Sequence, residues 1–395
     1  MDKSVGRIGI TFERPPDTAT ACSLLKEIAA EVPAAPWREL DRPLILYGAG
    51  NLGKMAGKYL RFIGIPFLYV VDANSKMYEN DIEWSGIPVL SPSEVSNSDK
   101  KNSLLAVCIS TIPFNPLFQS LQAQGWECIV PFYDITEVFQ GRHPLKNGWF
   151  SGALTDKDMR GTNEALSGWA DDISRAHHLQ FLAWRCLRQE WVFADAPVTT
   201  ADRYFIPQVV GQFTGNESFL DIGAHHGEVC VSFADIVHGR FKSIVAVEPD
   251  SQNLTELSKV FLKHFPDSVR GRINVLDVVI SDGRCSEHFF EGHGYTSQLS
   301  SLGEKGVVTV SIDDLQLSPT FLKVHVEGWE LFALRGGLNT LRRCRPIVAI
   351  TAYHNRQGIW ELPVWCMNSL PNYRFFTRMH GWCGTGLVIY ALPDR

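Results

Sequence analysis

One pattern occurs twice in this chain and constrains its fold more than any other feature. In each copy a short aliphatic strand leads into a glycine loop and a helix, and a second strand then ends in an acidic residue. The first copy contains YGAGNLG at 47–53 and ends at Asp72, and the second contains DIGAHHG at 221–227 and ends at Glu248. Strands that alternate with helices form parallel sheets. The sequence therefore predicts an α/β protein with two such sheets.

The chain length sets the domain organisation that we expect. Its 395 residues are enough for two or three domains of roughly 100–200 residues each. We predict two Rossmann-like domains in the order 1–41 N-terminal extension, 42–135 first domain, 136–200 helical connection and 201–395 second domain. Residues 161–193 of the connection are expected to be helical, with one apolar stripe of Leu179, Leu182, Ala183 and Cys186 and another of Trp184, Leu187 and Trp191. Two apolar faces predict a helix wedged between the domains.

The C-terminal half contains seven strand candidates, at 219–222, 244–248, 273–280, 321–326, 346–352, 373–378 and 386–391. A short link joins the last two, which predicts an antiparallel hairpin at the end of an otherwise parallel sheet. A class I methyltransferase sheet has this ending, whereas an ordinary dinucleotide-binding sheet does not need it.

The first glycine loop meets the criterion for a dinucleotide site. Its candidate residues are Gly48, Gly50, Gly53 and Asp72, because glycines let the backbone approach a pyrophosphate and the acid accepts ribose hydroxyls. The ligand would be a nucleotide, a nucleotide-sugar or NAD. The alternative is that the same glycines only allow tight packing of strand and helix. Residues 42–135 resemble the small Rossmann-like domain found beside sugar-modifying transferases.

The second loop begins with an acid, Asp221, which would oppose a pyrophosphate. An acid there suits S-adenosylmethionine, which has an ammonium, a sulfonium and a ribose but no phosphate. We expect Asp221 to face the methionine end and Glu248 the ribose hydroxyls. The predicted cofactor-binding residues are Asp221, Gly223, Ala224, Gly227, Glu248 and Asp277. The alternative for Asp221 alone is that it caps the following helix.

Several blocks over residues 200–395 resemble the FkbM family of S-adenosylmethionine-dependent methyltransferases. They include YFIP at 204–207, SFLDIGAHHG, AVEPD, VVTVSIDDL and KVHVEGWE at 323–330. The family pattern at the last block is Lys-x-Asp-x-Glu-Gly-x-Glu, and this chain has His325 in place of the aspartate. The resemblance implies O-methylation of a sugar or a secondary metabolite. The substitution puts the role of that position in doubt.

The same block also predicts a catalytic site from its residues alone. A buried parallel strand should be aliphatic, yet FLKVHVEG places Lys323, His325 and Glu327 at alternate positions, so these side chains should reach the ligand crevice. Methyl transfer to a hydroxyl needs a base. His325 is the first candidate, Glu327 the second, and His354 is placed with them. No metal site is predicted, although His325, Glu327 and His354 form an alternative metal cluster.

Further candidates surround this site in the sequence. Acceptor-pocket candidates are Tyr353, Arg378 and His380, cofactor-loop candidates are His225 and His226, and flap candidates are His293, Tyr295 and Gln298. Each of them also has an ordinary structural interpretation.

The composition argues against several classes of partner and location. The 37 basic and 43 acidic residues give a net charge of −6, which disfavours nucleic acid as a partner. No apolar run reaches the ~20 residues that span a bilayer, and the first residues lack a signal-peptide layout. The nine cysteines include no CxxC pair and fit reduced core residues. We predict a cytoplasmic protein with a small-molecule partner, and a homo-oligomer remains open.

These features together predict transfer of a methyl group from S-adenosylmethionine to a hydroxyl oxygen of a sugar, a nucleotide-sugar or a secondary metabolite. Two alternatives belong to other classes of protein. One is an NAD-dependent oxidoreductase that uses the first glycine loop. The other is a non-catalytic protein that binds S-adenosylmethionine.

Overall fold

A computed structural model describes residues 9–36 and 40–394 of the chain. The described N-terminal segment contains strand β1 (Gly9–Phe12) and helix α1 (Thr18–Ala30). The Asp17 side chain accepts a hydrogen bond from the backbone N–H of Thr20 and caps the start of α1. The remainder of the predicted extension, at 1–8 and 37–39, lies outside the described residues.

A parallel sheet of five strands follows, as the first glycine pattern predicts. Its strands are β2 (Leu44–Tyr47), β3 (Val70–Val71), β4 (Val89–Leu90), β5 (Leu104–Val107) and β6 (Cys128–Pro131). Its helices are α2 (Asn51–Phe62), α3 (Asn97–Asn102), α4 (Phe114–Ala123) and α5 (Phe132–Thr136). The strand order is β4-β3-β2-β5-β6. The aliphatic strands β2 and β5 are buried in its centre because helices cover both faces.

The connection contains helices α6 (Asp156–Gly168) and α7 (Asp172–Leu187) and strand β7 (Glu190–Phe193), which pairs in parallel with β1. The prediction of a helix to residue 193 was therefore wrong over its last turns. Helix α7 ends where Arg188 adopts a left-handed conformation, with φ 56°, so Trp191 lies on a strand.

Helix α7 separates two hydrophobic cores, as its two apolar stripes predict. Every residue from 174 to 186 is buried. Leu179 and Cys186 belong to the core of the C-terminal sheet described below. Trp184 packs instead against the core of the five-stranded sheet, with its ring 5.9 Å from that of Phe114.

The C-terminal half contains eleven strands and seven helices. The strands are β8 (Ser218–Ile222), β9 (Ser243–Val247), β10 (Ile273–Leu276), β11 (Val279–Ser281), β12 (Ser286–Phe290), β13 (Gln298–Leu299), β14 (Lys305–Ser311), β15 (Phe321–Val324), β16 (Ile347–Thr351), β17 (Tyr373–Met379) and β18 (Leu387–Pro393). The helices are α8 (Pro207–Val210), α9 (Glu228–Ile236), α10 (Ser251–His264), α11 (Asp267–Arg270), α12 (Glu330–Arg335), α13 (Leu338–Cys344) and α14 (Glu361–Ser369).

Seven of these strands form one sheet in the order β10-β9-β8-β15-β16-β18-β17. The last strand of the chain, β18, runs antiparallel to both of its neighbours. The predicted number of strands and the antiparallel hairpin are thus confirmed. The sheet is reached from the first half through α7, which packs on β17.

The single strand predicted at 273–280 is two strands in the structure. Strand β10 is an edge of the seven-stranded sheet and ends at Leu276, and β11 begins at Val279 in a separate sheet of order β11-β14-β12-β13. The chain turns at the exposed Asp277 and buries Val279 and Ile280 in the second sheet. An aliphatic run shows that both pieces are extended, but it does not show that they pair with different neighbours.

A fully buried arginine on α7 joins the connection to the C-terminal sheet. The guanidinium of Arg185 is 0% exposed and donates to four backbone carbonyls, those of Asn147, Trp149, Tyr353 and Gly384, at 2.6–3.1 Å. It also lies 4.4 Å from the centre of the Trp149 ring. These carbonyls come from segments that are distant in the sequence, so one side chain fixes their relative positions.

Two further observations concern the described residues as a group. No described helix combines the length and the apolar character needed to cross a bilayer. All nine cysteines lie in the described ranges and are free thiols.

Replacing Arg185 by methionine should lower the free energy of unfolding by about 3 kcal/mol or more, because each buried carbonyl left without a donor costs ~1–3 kcal/mol. Arg185→Lys should recover less than half of the loss, since one ammonium cannot reproduce the planar fork. Urea denaturation measures both. The exposed Arg160→Ala is the control, with a change within about 0.5 kcal/mol. Equal midpoints for wild type and Arg185→Met would contradict this role.

Candidate functional site

A cavity of about 610 Å³ lies at the carboxyl ends of β8, β9 and β15. In open α/β sheets this edge is where ligands bind, and the volume is typical of a small-molecule pocket. Of the predicted catalytic and cofactor-binding residues, five line the cavity: Gly223, Ala224, Glu248, His325 and Glu327. Lys323 and the further candidates His225, Tyr295, Gln298 and Tyr353 also line it.

The glycines of the second loop are required by close approaches of the backbone. Gly223 has φ +75°, and a Cβ atom there would lie 1.9 Å from the carbonyl oxygen of His325. Gly227 has φ +84°, and its Cβ would lie 2.5 Å from the ring of Phe261. The loop is thus pressed between β15 and α10. Gly227 supports the loop from behind and does not itself line the cavity.

The Glu248 carboxylate is held at the end of β9 by backbone donors. It accepts hydrogen bonds from the N–H groups of His225, at 2.8 Å, and Asp250, at 3.0 Å. Burial raises the pKa of Glu248, and these donors oppose the rise. The acid therefore braces the cofactor loop while it faces the cavity, where the sequence predicts contact with a ribose.

Asp221 lies in a different position from the one expected. It is 0% exposed and is absent from the cavity wall, and its Oδ1 atom is 2.8 Å from Nζ of Lys323. Lys323 also donates to the carbonyl oxygen of Gly223 at 2.6 Å. Asp221 therefore does not face a methionine group directly. Nor does it cap the following helix α9, whose N-cap residue is Gly227. Its charge is used behind the loop to hold Lys323.

The exposed Asp277 also does not line the cavity, although Val278 and Val279 beside it do. The chain passes from one sheet to the other at this point, and Asp277 is exposed whereas Val278 and Val279 are on the cavity side.

The three predicted catalytic residues meet at one point. Nε2 of His325 lies 2.9 Å from Oε1 of Glu327, and Nε2 of His354 lies 3.3 Å from the same oxygen. The other ring nitrogens have their own partners, because Nδ1 of His325 is 2.9 Å from the Tyr204 hydroxyl and Nδ1 of His354 is 2.7 Å from Oε1 of Glu330. His354 is behind Glu327 and does not line the cavity.

The charges in this cluster are set by burial and by close neighbours. Burial lowers the pKa of His325 to about 3, so its imidazole is neutral. Burial alone would also lower the pKa of His354, but Glu327 and Glu330 raise it well above its usual value. Burial opposes ionisation of Glu327, yet the charge of His354 outweighs it and holds the pKa of Glu327 below its usual range. A cationic His354 thus lies between two carboxylates.

The backbone at Glu327 adopts a conformation that few such residues take. Its φ is +49°, in the left-handed region, and Gly328 follows with φ +104°. The Glu330 side chain accepts from the N–H of Gly328 at 3.0 Å and so supports this turn. Strained conformations of this kind are frequent at functional sites.

The flap candidates divide into two groups. Tyr295 and Gln298 line the cavity, and the Tyr295 ring stacks on His225 with centroids 3.8 Å apart. His293 does not line it and instead stacks on Phe290 at 3.9 Å, with Phe62 of α2 against its edge. The segment around His293 thus contacts α2 in the first half of the molecule.

Three other residues that the sequence offered as site candidates do not line the cavity. His226 stacks on His225 without lining the cavity. Arg378 pairs with Asp171 at 2.6 Å, and Nε2 of His380 is 2.7 Å from the Tyr390 hydroxyl. Arg378 and His380 both lie away from the cavity wall.

The first glycine loop faces its own helix and sheet. A Cβ at Gly53 would lie 2.0 Å from the carbonyl oxygen of Gly48, and Asp72 accepts from the N–H of Ala49 at 2.8 Å. Close packing of strand and helix accounts for Gly53, and a φ of +103° accounts for Gly48, whereas a Cβ at Gly50 would meet only the Tyr78 hydroxyl, at 3.8 Å. Neither Gly50 nor the other predicted nucleotide residues line the cavity.

Sequence reasoning missed the wall that the first half contributes. Asn51, Leu52 and Met55 of α2, together with Tyr133 and Asn147, line the same cavity as the cofactor loop. A pattern of neighbouring residues in the sequence does not indicate that two sheets line the same cavity.

Arg203, Tyr204 and Tyr353 complete the cavity wall near His325. Nη2 of Arg203 donates to the Tyr353 hydroxyl at 3.1 Å. Tyr204 is the first residue of the YFIP block, which resembles the FkbM family. That resemblance was the feature of the sequence from which its place near the site could have been predicted.

Comparison with known proteins agrees with this geometry. Residues 221–381 match the family model of the methyltransferase FkbM domain. The match supports methyl transfer as the activity of this region. Among solved structures, the chain is similar to methyltransferase FkbM from Methylobacillus flagellatus KT, at 17% identity and a TM-score of 0.61. That likeness covers 95% of this chain and 98% of the other, so the shared fold includes the first half.

Other similarities cover about half of the chain. One is to precorrin-6y C5,15-methyltransferase from Geobacter metallireducens GS-15, at 12% identity and a TM-score of 0.31, over 51% of this chain and 96% of that one. Another is to a SAM-dependent methyltransferase from Aquifex aeolicus, at 12% identity and a TM-score of 0.29, over 48% and 88%. No curated protein matches the chain.

Lys323→Met should lower the free energy of unfolding by about 3–5 kcal/mol, because it leaves Asp221 buried without a counter-charge. The double variant Asp221→Leu with Lys323→Met should recover most of that loss, since no buried charge remains. Urea denaturation provides the measurement. Lys305→Met is the control, because the pair of Lys305 with Glu291 is partly exposed and should contribute less than ~1 kcal/mol. If Lys323→Met were as stable as wild type, the ion pair of Asp221 with Lys323 would not be needed for the stability of the fold.

Proposed function

We propose that the protein transfers a methyl group from S-adenosylmethionine to a hydroxyl oxygen of a small acceptor. The observation that carries this proposal is one cavity with two chemically distinct sides. On one side lie the glycine loop and the Glu248 carboxylate, and on the other lie His325 and Glu327. The first side suits a cofactor that has a ribose and no phosphate, and the second suits an acceptor that must lose a proton.

In this proposal the cofactor lies across the ends of β8 and β9. Glu248 accepts the ribose hydroxyls, and the backbone at Gly223 and Ala224 contacts the methionine part. Asp221 acts indirectly, since its ion pair with Lys323 fixes the carbonyl of Gly223. Because Lys323 neutralises Asp221 and itself lines the cavity, the pair presents no net negative charge to a ligand.

The acceptor side is polar and aromatic. Arg203, Tyr204 and Tyr353 offer hydrogen-bonding groups and flat ring surfaces, and Asn51 and Asn147 add amides from the first half. Such a wall suits a molecule with several hydroxyl groups, and we infer a saccharide, a nucleotide-sugar or a hydroxylated secondary metabolite. The FkbM resemblance and the likeness of residues 42–135 to domains beside sugar-modifying transferases support this inference by association only.

We propose that residues 42–135 are a Rossmann-like domain that closes the cavity of the domain at 201–395, with 136–200 as the connection. A nucleotide or NAD site in the first domain is not part of this proposal. Gly53 is closely packed against Gly48, and Asp72 already accepts a hydrogen bond from the N–H of Ala49 in its own loop.

Methyl transfer is a displacement in which an acceptor oxygen attacks the methyl carbon and the sulfur leaves with the bonding electrons. The sulfonium already activates the carbon, so the protein mainly orients the acceptor and provides for loss of its proton. We assign that task to His325, Glu327 and His354 acting as one cluster. Tyr204 and Glu330 are positioning residues, because they fix the two imidazole rings.

Titration calorimetry with S-adenosylhomocysteine tests the cofactor site. The protein should bind it with a micromolar dissociation constant, and Glu248→Ala should weaken binding about 10- to 100-fold, the effect of losing a charged hydrogen-bond acceptor. The exposed Glu256→Ala on α10 is the matched control and should bind like wild type. No binding at ~100 μM would overturn the proposed function, and binding of NADH instead would favour an oxidoreductase.

Glu327→Gln should retain its affinity for S-adenosylhomocysteine and lose at least about 100-fold in methyl transfer, the usual contribution of proton removal. The assay follows radiolabelled methyl groups from S-adenosylmethionine into a panel of saccharides, nucleotide-sugars and hydroxylated metabolites. Glu256→Gln serves as the control. Undiminished transfer by Glu327→Gln would remove the cluster from the mechanism.

A further inference from the structure

The donor atoms of the cluster at the end of β15 converge as metal ligands do. Nε2 of His325 and Nε2 of His354 lie 2.9 Å and 3.3 Å from Oε1 of Glu327, and all three atoms lie within 4.8 Å of one another. Ligands at ~2.0–2.2 Å from one ion are ~3.0–3.5 Å apart. Two of the three separations already have nearly this size.

Each histidine of the cluster is oriented through its other nitrogen. Nδ1 of His354 is 2.7 Å from a Glu330 oxygen, and Nδ1 of His325 is 2.9 Å from the Tyr204 hydroxyl. The Glu330 oxygen is itself bound by Oγ1 of Thr351 at 2.9 Å. Histidines that hold metals almost always have such a partner on the second nitrogen, because it fixes the tautomer and the ring plane.

One atom of the cluster has an unused bonding capacity. His354 is 4% exposed, and within the described ranges its Nε2 atom forms no hydrogen bond, although Glu327 lies beside it. A buried polar atom without a partner is rare and calls for an explanation. A metal ion between the three donors would satisfy it by displacing the Nε2 proton that the cationic His354 carries.

We propose that this chain binds one divalent first-row transition-metal ion through His325, Glu327 and His354. Two imidazoles and one carboxylate suit Zn²⁺, Co²⁺, Fe²⁺ or Mn²⁺, whereas Mg²⁺ and Ca²⁺ prefer oxygen ligands. His325 decides this preference, because the resembling family pattern has an aspartate at its position. His325 and Glu327 line the cavity, so an ion held by them would be accessible from it. Coordination of the acceptor hydroxyl there rests on the proposed function, but the metal site does not.

A second histidine cluster beside the same cavity also contains ring nitrogens that form no hydrogen bond within the described ranges, those of His225, but its donor atoms lie farther apart and its carboxylate is exposed. Nδ1 of His225 and Nδ1 of His226 lie 3.9 Å and 3.7 Å from oxygens of Glu228, whose side chain is 59% exposed. The His225 ring is stacked on Tyr295. The two clusters have the same residue types, so variants of the second one are matched controls.

The test uses the full chain after dialysis against a chelator, titrated with Co²⁺ and with Zn²⁺ by calorimetry. Co²⁺ binding is also followed by its visible absorption. Wild type should bind one ion with a dissociation constant near or below ~1 μM. His325→Gln and His354→Gln should each weaken binding at least 100-fold, and the positioning variant Tyr204→Phe about 10-fold. His226→Gln should bind like wild type.

Several results would overturn the site. They are no saturable binding by wild type at ~100 μM Co²⁺, an equal loss in His226→Gln, or unchanged binding in His354→Gln. His325→Asp guards against misfolding, because it keeps three ligands but exchanges a nitrogen for an oxygen. It should lose Co²⁺ affinity at least 10-fold while it keeps the Mn²⁺ affinity of wild type within about threefold, and equal losses for both ions would count against the site.

S-adenosylhomocysteine titration of the same samples separates the two proposals. Metal binding without S-adenosylhomocysteine binding would leave the metal site standing and overturn the proposed function. Binding of S-adenosylhomocysteine without metal would do the reverse.

Discussion

The buried ion pair between Asp221 and Lys323 is the interaction on which the site depends. The two residues lie opposite each other in the register of β8 and β15, and both side chains are at most 2% exposed. Lys323 also donates a hydrogen bond to the carbonyl oxygen of Gly223, so the same ammonium links the central strands and the glycine loop that follows β8. Its charge also lies 5.4 Å from the centre of the Tyr204 ring. A buried pair gives little net stability, but its geometry is demanding, and here that geometry sets the floor of the cavity.

The first half of the molecule is part of the site through packing alone. Helix α7 is buried between the two main sheets, and Arg185 fixes backbone segments from both sides of the cavity. In this arrangement the start of α2 and Asn147 form part of the wall of a cavity that the other half also lines. Phe62 also meets the flap at His293. A cavity shared in this way favours an acceptor that contacts both halves.

The sequence predicted the elements of the fold better than their partners. Seven strands and the final hairpin followed from aliphatic runs and link lengths, which are local properties. The break between β10 and β11 did not follow, because it depends on which sheet each piece joins. For the same reason Asp221 was placed against the ligand, since its partner Lys323 is 102 residues away in the chain. The wall at Asn51 lies within the first glycine loop, but the pattern of that loop indicated a separate nucleotide site and not a cavity shared with the second loop.

The alternation of polar residues on β15 was the most informative local signal, and the structure gives its physical reason. Lys323 lies on the central strand β15, and His325 and Glu327 follow at alternate positions just beyond its end at Val324, where half-buried polar groups need partners. Lys323 pairs with Asp221 on one side of the strand, and Glu327 meets His354, which follows β16 on the other side. His325 lies between them and faces the cavity. An aspartate there would put a second carboxylate beside Glu327 and add repulsion, whereas a neutral imidazole does not. The histidine therefore avoids an excess of negative charge among the polar residues at the end of β15. It also provides a nitrogen atom at the cavity wall.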